Sequence, residues 1–575
     1  MSSPAGRSGR FAIIEQLLAD DIRFMFGNPG TVEQGFLDAL GSYPDMSYIL
    51  TLQETIAVGV ADGYARATRR PAVVQLHSGV GLGNGVGMMY QAKRGGAPLV
   101  VIAGEAGLAY DAMDAQMAAD LVSIARPVTK WSTRVVDPRS LLRVLRRAIK
   151  IAATPPMGPV FVALPADVLD ALNEEPVVPT SFPQTRAVPA PSLVEEAANL
   201  LAGAQRPMII IGDGVATSGA QAQLTRVAET LGADVWGANS SEVNMDERHP
   251  LFAGHLGHMF GDHSRPIVAQ ADAVLIVGTY VFPEVFPALV RPFADDAKVV
   301  HIDLDAYEIA KNFAVDLGLV SDPALTLDAL ADALDERISP DDRQAASTRL
   351  AARTEEQEQR LAAMHDEDLR SREAVPLHAS EFMEELAARL PADALIFDES
   401  LTFSPEVTQY LPPRTVGSFY QTRGGSLGVG IPGALGLKLA HPERTVIGFT
   451  GDGGSMYTIQ ALWTAAHHHI GAKFVILDNG AYQLLKLNIQ QYWKDLGLPE
   501  GEFPAPFDLV EPAIRFDQLA ESMGVPAARV ESADQIGPAL DQALSDDGPF
   551  LIDLVVRNEV AHDISRAKHL RAGQS

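Results

Sequence analysis

The fold class is clearest in residues 445–482, which read TVIGFTGDGGSMYTIQALWTAAHHHIGAKFVILDNGAY. A strand pattern rich in Val and Ile ends at the GDG turn of 451–453, a helical pattern follows, and a second strand ends at the DNG turn of 478–480. In such a strand–helix–strand unit both turns lie at the carboxyl ends of parallel strands, where ligands bind. Residues 445–482 therefore predict a doubly wound α/β domain with a ligand site at this edge of its sheet.

Similar units extend over almost the whole chain. Short, continuously apolar strands alternate with helical patterns, which is typical of parallel strands buried on both faces. A proline-rich stretch at 174–191 and a charged, alanine-rich stretch at 338–373 interrupt this rhythm and are typical of connecting segments. We therefore predict an α/β fold of three doubly wound parallel-sheet domains at 8–175, 192–335 and 378–557.

Composition excludes several classes of partner and chemistry. The chain has 575 residues and a formal net charge of −28, and such an acidic surface repels nucleic acid and anionic membranes. The absence of cysteine excludes disulfides, thiolate zinc sites and cysteine nucleophiles. No signal-peptide core and no apolar run of about 20 residues is present, which predicts a cytoplasmic protein with no membrane span.

The two turns carry candidate metal and phosphate ligands. The Asp452 carboxylate and the Asn479 amide should converge as oxygen ligands of the kind that Mg²⁺ prefers. Gly453 and Gly454 allow close backbone approach, and a helix expected after Ser455 would offer free N–H groups to a diphosphate. The alternative is that the glycines only turn the chain.

Glu54 is a candidate catalytic acid near the amino end. Residues 48–66, YILTLQETIAVGVADGYAR, predict a strand followed by a helix with Glu54 in its first turn. The small residues after Glu54 predict close packing against another backbone, as at a subunit interface. The alternative is a glutamate that merely suits the helix dipole.

These motifs resemble the thiamine diphosphate enzymes, in particular the branch of benzoylformate decarboxylase and acetolactate synthase. The resemblance extends to FGNPGTVEQGFLDAL (26–40), LHSGVGLGNGVGMMYQAKRGGAPLVVIAGE (76–105), RPMIIIGDG (206–214) and VVHIDLDAYEIAKN (299–312). It implies thiamine diphosphate and Mg²⁺ as cofactors, and active sites shared between subunits of a homodimer or homotetramer. The residues alone do not show whether FAD or ADP occupies the central domain.

The resemblance also implies a reaction. It implies a lyase that cleaves or forms a carbon–carbon bond next to a carbonyl, as a decarboxylase or carboligase of 2-oxo acids and aldehydes. An alternative is a 2-hydroxyacyl-CoA lyase or an acetolactate synthase-like enzyme. A further alternative is a binding protein of the same fold that has lost the chemistry.

Individual roles follow from position within the family's motifs. Glu54 corresponds to the glutamate that activates the cofactor through its aminopyrimidine ring, and His77 to a histidine that moves protons. Thr31 occupies the position at which the decarboxylase has a substrate-binding serine, and threonine also carries a hydroxyl group. For His77 a structural role at a strand end is the alternative, and for Thr31 helix capping. The implied cofactor contacts are Thr402, Gly425, Leu427, Gly453, Gly454, Ser455 and Tyr482, and the implied metal ligands are Asp452, Asn479 and the Ala481 carbonyl.

One departure from the family concerns proton transfer. Val285 stands where the decarboxylase has a second catalytic histidine. His255, His258 and Glu284 are candidate substitutes from nearby segments. The missing histidine favours the alternative of a 2-hydroxyacyl-CoA lyase or an acetolactate synthase-like enzyme.

Other departures concern the metal turn and the substrate pocket. The first of two expected asparagines is Asp478, while Leu484 and Asn488 replace a small and an aromatic pocket residue. The branched Leu484 should narrow the space for substrate. Two further motifs predict no ligand site: the histidines at 467–469 indicate a helix end with a cationic preference, and the GDG run at 212–214 is expected to be structural.

Overall fold

Three six-stranded sheets dominate the described part of the chain, which in this computed structural model comprises residues 7–238, 240–257, 259–373 and 375–558. Every pair of neighbouring strands in these sheets is parallel. The predicted fold class is therefore confirmed. Each sheet lies within one of the three predicted spans, whose boundary residues stay a prediction.

Strands that are neighbours in a sheet are often not consecutive in the chain. In spatial order, the amino-terminal sheet contains Ser47–Leu50, Phe24–Gly27, Ala72–His77, Leu99–Glu105, Val160–Pro165 and Trp131–Arg134. In the same order, the central sheet contains Phe252–His255, Asp234–Gly237, Pro207–Ile211, Ala273–Val277, Lys298–Asp303 and Leu317–Val320. The carboxyl-terminal sheet contains Phe419–Gln421, Leu395–Glu399, Val446–Gly451, Lys473–Asp478, Phe550–Val555 and Ala527–Val530. A two-stranded antiparallel pair joins Arg7–Ser8 to Leu172–Asn173.

Helices cover both faces of the sheets. Those of the amino-terminal domain are Gly9–Ala19, Gln34–Leu40, Glu54–Thr68, Ser78–Arg94, Leu121–Ala125, Leu141–Ala153 and Ala166–Asp170. Those of the central domain are Pro191–Leu201, Gly214–Ser218, Gln221–Leu231, Gly261–Val268 and Pro323–Arg337, and the long helix Pro340–Ser371 connects it to the next domain. The carboxyl-terminal helices are Ala379–Arg389, Ser404–Tyr410, Gly430–Ala440, Asp452–Ser455, Ala461–His467, Gln483–Asp495, Phe516–Ser522 and Ala533–Ala543. Short 3-10 turns occur at Leu108–Met113, Arg126–Val128, Pro138–Ser140, Leu401–Phe403 and Ala505–Phe507.

Strand order locates the places where ligands bind. If the strands of each domain are counted along the chain, both outer sheets have the order 2-1-3-4-6-5 and the central sheet has the order 3-2-1-4-5-6. In the outer sheets the first and third strands are neighbours, and the chain adds later strands on opposite sides of this pair. Ligands of doubly wound domains bind at such a switch point in strand order. These strands end at Gly27 and His77 in the amino-terminal sheet and at Glu399 and Gly451 in the carboxyl-terminal sheet.

The two outer domains pack tightly through the helices Glu54–Thr68 and Gly430–Ala440. A Cβ added to Gly63 would overlap the Gly433 backbone, and one added to Gly436 would overlap the Val60 carbonyl oxygen. One core of buried apolar residues continues through both domains. The predicted close packing of the Glu54 helix is therefore confirmed, and its partner here is the carboxyl-terminal domain of the same chain.

A buried arginine links all three domains. Arg66 of the Glu54 helix donates from Nη2 to the Ser241 carbonyl at 3.0 Å and from Nη1 to the Gln421 carbonyl at 3.1 Å. The Glu242 and Asp62 carboxylates lie 3.5 and 3.6 Å from its guanidinium. Since an unpaired charge is costly to bury, these partners fix the relative positions of the domains. Among the described helices, none is both long enough and apolar enough to cross a membrane.

Candidate active site

Glu54 is the first residue of its helix and is 7% exposed. The Asn28 amide donates to Oε1 at 3.3 Å and the Asn84 amide donates to Oε2 at 3.0 Å. Gly81 lets the next helix pass close by, because a Cβ there would lie 3.0 Å from Glu54 Oε1. Two asparagine amides therefore orient a buried carboxylate at the switch point, which a glutamate that merely suits the helix dipole would not need.

His77 is paired with a residue that the sequence analysis missed. Its Nδ1 lies 2.9 Å from Glu33 Oε2, and Glu33 Oε1 accepts the Gly104 N–H at 3.1 Å. Burial raises the pKa of Glu33, while the hydrogen bond from His77 opposes that rise. The carboxylate thus orients the imidazole and selects its tautomer. Because the two residues are 44 positions apart in the chain, no local sequence pattern indicated this pair.

Thr31 belongs to the same cluster. A Cβ on the preceding Gly30 would overlap the His77 ring, so this turn packs directly on the imidazole. Thr31 itself is exposed. The following helix begins at Gln34 with Glu33 at its N-cap position, so Thr31 is not its cap.

The metal turn brings Asp452 and Asn479 together. The Ala481 N–H donates to Asp452 Oδ2 at 3.2 Å and to Asn479 Oδ1 at 3.0 Å, so the two side-chain oxygens converge on one point. Burial raises the pKa of Asp452 to about 6, and the nearby Asp478 carboxylate adds to the rise. A buried carboxylate beside an amide oxygen, with a second negative charge nearby, fits a hard divalent cation such as Mg²⁺.

Asp478 is balanced by an arginine from the edge of the sheet. Arg529 Nη1 lies 3.3 Å from Asp478 Oδ2 and 2.5 Å from Oδ2 of the fully buried Asp553. This pairing explains how a carboxylate is accommodated where an asparagine was expected.

The segment that we predicted to bind the diphosphate contains a shorter helix than expected. The helix expected after Ser455 is instead a single turn, Asp452–Ser455, and the next helix begins at Ala461. Gly453 lies against the Tyr482 ring with no room for a Cβ. The Ser455 hydroxyl donates to the Asp452 carbonyl at 2.7 Å. The single turn nevertheless places the backbone of Gly453 and Gly454 beside the candidate metal ligands.

Thr402, Gly425 and Leu427 flank the same switch point. Thr402 lies in the 3-10 turn directly after the strand that ends at Glu399. Gly425 has a φ of +75° and open space around it, and Leu427 is half-buried in the same loop.

The predicted pocket residues Leu484 and Asn488 lie one turn apart on the helix Gln483–Asp495 and are both half-buried. At that spacing they share one face of the helix. The helix is held in place by Lys486, which lies 2.8 Å from Asp508.

Val285 lies in an exposed apolar segment of the central domain. The exposed fractions are 55% for Val285, 58% for Phe286 and 94% for Leu289. Large apolar side chains exposed this close together in the chain make this segment a candidate interaction surface.

The candidate replacements for the missing histidine differ in environment. His255 Nε2 lies 2.9 Å from Glu247, while His258 lies outside the described residues. Glu284 is 8% exposed, and its Oε1 accepts the Ser264 hydroxyl at 2.7 Å. Burial raises the pKa of Glu284 to about 7. Of the described candidates, Glu284 is therefore a carboxyl group suited to holding a proton near neutrality.

The prediction for the three histidines was partly wrong. The helix does end at His467, but His468 Nε2 accepts the Leu50 N–H at 2.8 Å and therefore acts as a neutral acceptor. Burial lowers the pKa of His468, and His467 adds to that effect. This contact joins the two outer domains close to Glu54.

The 212–214 turn has structural contacts, as expected. The Asp213 carboxylate accepts the Ser241 N–H at 2.9 Å and the Asn244 amide at 3.1 Å. A Cβ on Gly214 would overlap Gly278, so two turns of the central domain close on each other.

Comparison with known proteins agrees with this geometry. Residues 7–124, 194–330 and 402–554 match, respectively, the N-terminal TPP binding domain, the central domain and the C-terminal TPP binding domain of thiamine pyrophosphate enzymes. Thiamine pyrophosphate (TPP) is another name for thiamine diphosphate.

Individual relatives span nearly the full chain. Benzoylformate decarboxylase of Pseudomonas aeruginosa is 32% identical over 550 residues, covering 94% of this chain and 98% of the relative. A probable acetolactate synthase large subunit of Methanococcus aeolicus is 30% identical, covering 96% of this chain and 92% of the relative. The crystal structure of benzoylformate decarboxylase from Polynucleobacter necessarius has a TM-score of 0.83 at 26% identity, covering 96% of this chain and 99% of that one.

Relatives of this similarity and coverage, together with matches in all three domains, establish the ancestry of the whole chain. The protein belongs to the thiamine pyrophosphate enzyme family, in the group that contains benzoylformate decarboxylase and acetolactate synthase, and its two outer domains are those that bind thiamine diphosphate.

Proposed function

We propose that this protein is a thiamine diphosphate- and Mg²⁺-dependent 2-oxo acid decarboxylase or carboligase that acts on aromatic or branched 2-oxo acids and aldehydes. The observation that carries the proposal is the cluster at the amino-terminal switch point, where Glu54 is held by two asparagine amides and His77 by Glu33. This cluster combines an oriented carboxylate with an oriented imidazole.

Residues of the carboxyl-terminal domain hold the cofactor in this proposal. Asp452, Asn479 and the Ala481 carbonyl would hold Mg²⁺, whose positive charge would attract the diphosphate. Bound thiamine diphosphate supplies a carbon nucleophile and an electron sink for the reaction. The Gly425 carbonyl would accept a hydrogen bond from the aminopyrimidine, and the Leu427 side chain would pack against the rings of the cofactor. The contacts of Thr402, Gly453, Gly454, Ser455 and Tyr482 with the cofactor are proposed in the same way.

Residues of the amino-terminal domain move protons. Glu54 would hold or share a proton at its carboxylate, next to the aminopyrimidine ring of the bound cofactor. Glu33 accepts a hydrogen bond from the Nδ1–H group of His77. Nε2 is then free to take a proton from the reacting groups or to return one. Thr31 offers its exposed hydroxyl to the substrate. Glu284, which belongs to the central domain, replaces the missing histidine as a second proton donor.

The assembly supplies the remaining contacts. We propose a cytoplasmic homodimer or homotetramer, in which Glu54 of one subunit faces the Asp452 turn of another. Val285 then lines the substrate pocket with Leu484 and Asn488. The exposed apolar patch at Val285 supports this arrangement because such patches mark interaction sites.

A second candidate function is a 2-hydroxyacyl-CoA lyase or an acetolactate synthase-like enzyme. The observation in its favour is Val285, an apolar side chain at the position of a proton-transferring histidine. A reaction that does not need this proton transfer would proceed with a valine in place of the histidine.

A substrate panel distinguishes these functions. Purified protein with thiamine diphosphate and Mg²⁺ is given aromatic and branched 2-oxo acids, aldehydes and 2-hydroxyacyl-CoA thioesters. We expect CO₂ release from 2-oxo acids or formation of 2-hydroxy ketones from aldehydes. Cleavage of the thioesters alone would support the second function.

Glu54→Gln is the matched test of mechanism. This variant should lose activity by about 100-fold or more, because general acid–base groups contribute at least that much, and its unfolding temperature should stay unchanged. The exposed Glu336→Gln variant is the control and should keep full activity. Full activity in Glu54→Gln would refute the role of Glu54, and failure of the wild type to bind thiamine diphosphate would refute the whole proposal.

A further inference from the structure

Glu399 is a buried carboxylate surrounded by hydrogen-bond donors. It ends the first strand of the carboxyl-terminal sheet and is 1% exposed. Oε1 accepts the N–H groups of Gly428 at 2.6 Å and Val429 at 3.2 Å. Oε2 accepts the Gly430 N–H at 2.7 Å and the Thr450 hydroxyl at 3.2 Å. The N–H groups of three consecutive residues at the start of the helix Gly430–Ala440 therefore donate hydrogen bonds to one side chain.

These bonds fix one end of the loop that contains Gly425 and Leu427. The Gly428 carbonyl also accepts the Thr458 hydroxyl at 2.6 Å. At the other end of the loop, the Gly424 N–H donates to the side chain of Gln91, which belongs to the amino-terminal domain. The loop is thus held at both ends by buried groups.

The middle of the loop, in contrast, is open. A Cβ placed on Gly425 would meet no atom within 4 Å, and Leu427 is only half-buried. A loop with fixed ends and an open middle presents its central residues to a ligand in one defined conformation.

A carboxylate is a costly group to bury for packing alone. Burial raises the pKa of Glu399 to about 7, against the opposing effect of its backbone partners. An apolar side chain would avoid this cost but would leave three N–H groups at the helix start without acceptors. The helix dipole also favours an anion at this end.

We propose that Glu399 is a positioning residue that holds Gly428 and the adjoining helix so that Gly425 and Leu427 meet the two rings of thiamine diphosphate. The inference rests on the proposed function, which assigns those contacts. In this proposal Glu399 determines how the rings of the cofactor are positioned, whereas the Asp452–Ser455 turn determines how the diphosphate is bound.

Two probes measure these roles separately in the full-length protein freed of cofactor. Calorimetric titration in Mg²⁺ gives the Kd of thiamine diphosphate and the Kd of inorganic pyrophosphate, which lacks the rings. In Glu399→Gln we expect the Kd of thiamine diphosphate to rise about tenfold, since bonds to a charged group are lost. The Kd of pyrophosphate should change less than about twofold.

A buried carboxylate elsewhere provides the matched control. Asp368 of the helix Pro340–Ser371 is 2% exposed and accepts the Gln409 amide at 2.7 Å and the Tyr410 hydroxyl at 3.0 Å. Asp368→Asn should leave both Kd values unchanged. A second variant, Thr458→Val, removes one bond to Gly428 with little change of shape. It should show the same selective loss as Glu399→Gln, to a smaller extent, and it serves if Glu399→Gln does not fold.

The outcomes separate this inference from the proposed function. Equal weakening of both ligands, or no weakening of either, in a folded variant would overturn the positioning role of Glu399 alone. A wild-type protein that does not bind thiamine diphosphate would overturn the proposed function together with this inference.

Discussion

His77 depends on Glu33 for its orientation, because one carboxylate oxygen of Glu33 lies 2.9 Å from the imidazole Nδ1 and the other is fixed by the Gly104 N–H. Partners of this kind select the tautomer of a catalytic imidazole. In the proposed function, the side chain that moves the proton and the side chain that orients it are thus different residues.

Glu33→Gln tests this dependence. An amide that donates to Nδ1 would reverse the tautomer and leave Nε2 protonated, so kcat should fall by about 10- to 100-fold. The Kd of thiamine diphosphate should not change, because Glu33 is not assigned to the cofactor. Steady-state kinetics over a range of pH and calorimetry measure both quantities. An unchanged kcat would show that Glu33 acts only in packing.

The raised pKa of Glu284 predicts that the stability of the protein depends on pH. Burial raises its pKa to about 7, well above the usual value for glutamate, so the folded protein favours the protonated form. The protonated Glu284 side chain stabilises the folded protein fully at a pH below the pKa that this glutamate has in the unfolded chain. This stabilisation is lost as the pH rises through about 7.

We therefore expect Glu284→Gln to lose less stability than the wild type between pH 5 and pH 8. The difference should reach at most about 3 kcal/mol, and urea unfolding at the two pH values measures it. Glu336→Gln, at an exposed position, should follow the wild type. Parallel pH profiles for Glu284→Gln and the wild type would contradict the buried titration.

Helices carry the contact between the two outer domains. Gly63 and Gly436 are required because each faces backbone atoms of the opposite helix. This contact sets the position of Glu54, which begins one of the two helices.

Gly63→Ala should destabilise the protein by about 1–3 kcal/mol, since the added methyl group would overlap Gly433. Gly83→Ala is the matched control. It lies in the helix Ser78–Arg94 with nothing within 4 Å of the added Cβ, and there alanine should be neutral or stabilise by up to about 1 kcal/mol. Chemical unfolding measures both variants, and equal effects would refute the close-packing argument.

Over the whole molecule, the bonds around Glu54 and those around Asp452 belong to different domains. Glu54 bonds to Asn28 and Asn84, while Asp452 bonds to Gly453 and Ala481. A site that needs both groups is completed by assembly in the proposed function.

Coexpression of Glu54→Gln with Asp452→Asn tests this arrangement. If sites are shared across subunits, a mixed dimer has one intact site and one doubly altered site. Random pairing should then restore about a quarter of wild-type activity from two inactive variants. Two differently tagged copies of Glu54→Gln should restore none. Isolated mixed dimers without activity would place both groups of each site in one chain.

The amino-acid sequence alone was sufficient to predict the three doubly wound domains and the candidate metal ligands. Strand and helix patterns are local, and Asp452 and Asn479 follow neighbouring strands of one unit, so their convergence follows from the geometry of that unit. The turn at 452–455 was predicted less well: its helix ends at Ser455, and the contact of Gly453 with the Tyr482 ring lies between residues 29 positions apart.

Only the tertiary structure showed that Glu33 orients His77, that Glu399 holds the loop of Gly425, and that His468 is a neutral acceptor. These pairs lie 44 residues apart for Glu33 and His77, 29 for Glu399 and Gly428, and 418 for His468 and Leu50. Strand order and domain packing bring such groups together, and neither is expressed in the local pattern of residues. Local periodicity determines which elements form, whereas the burial of non-local polar partners determines how the site is built.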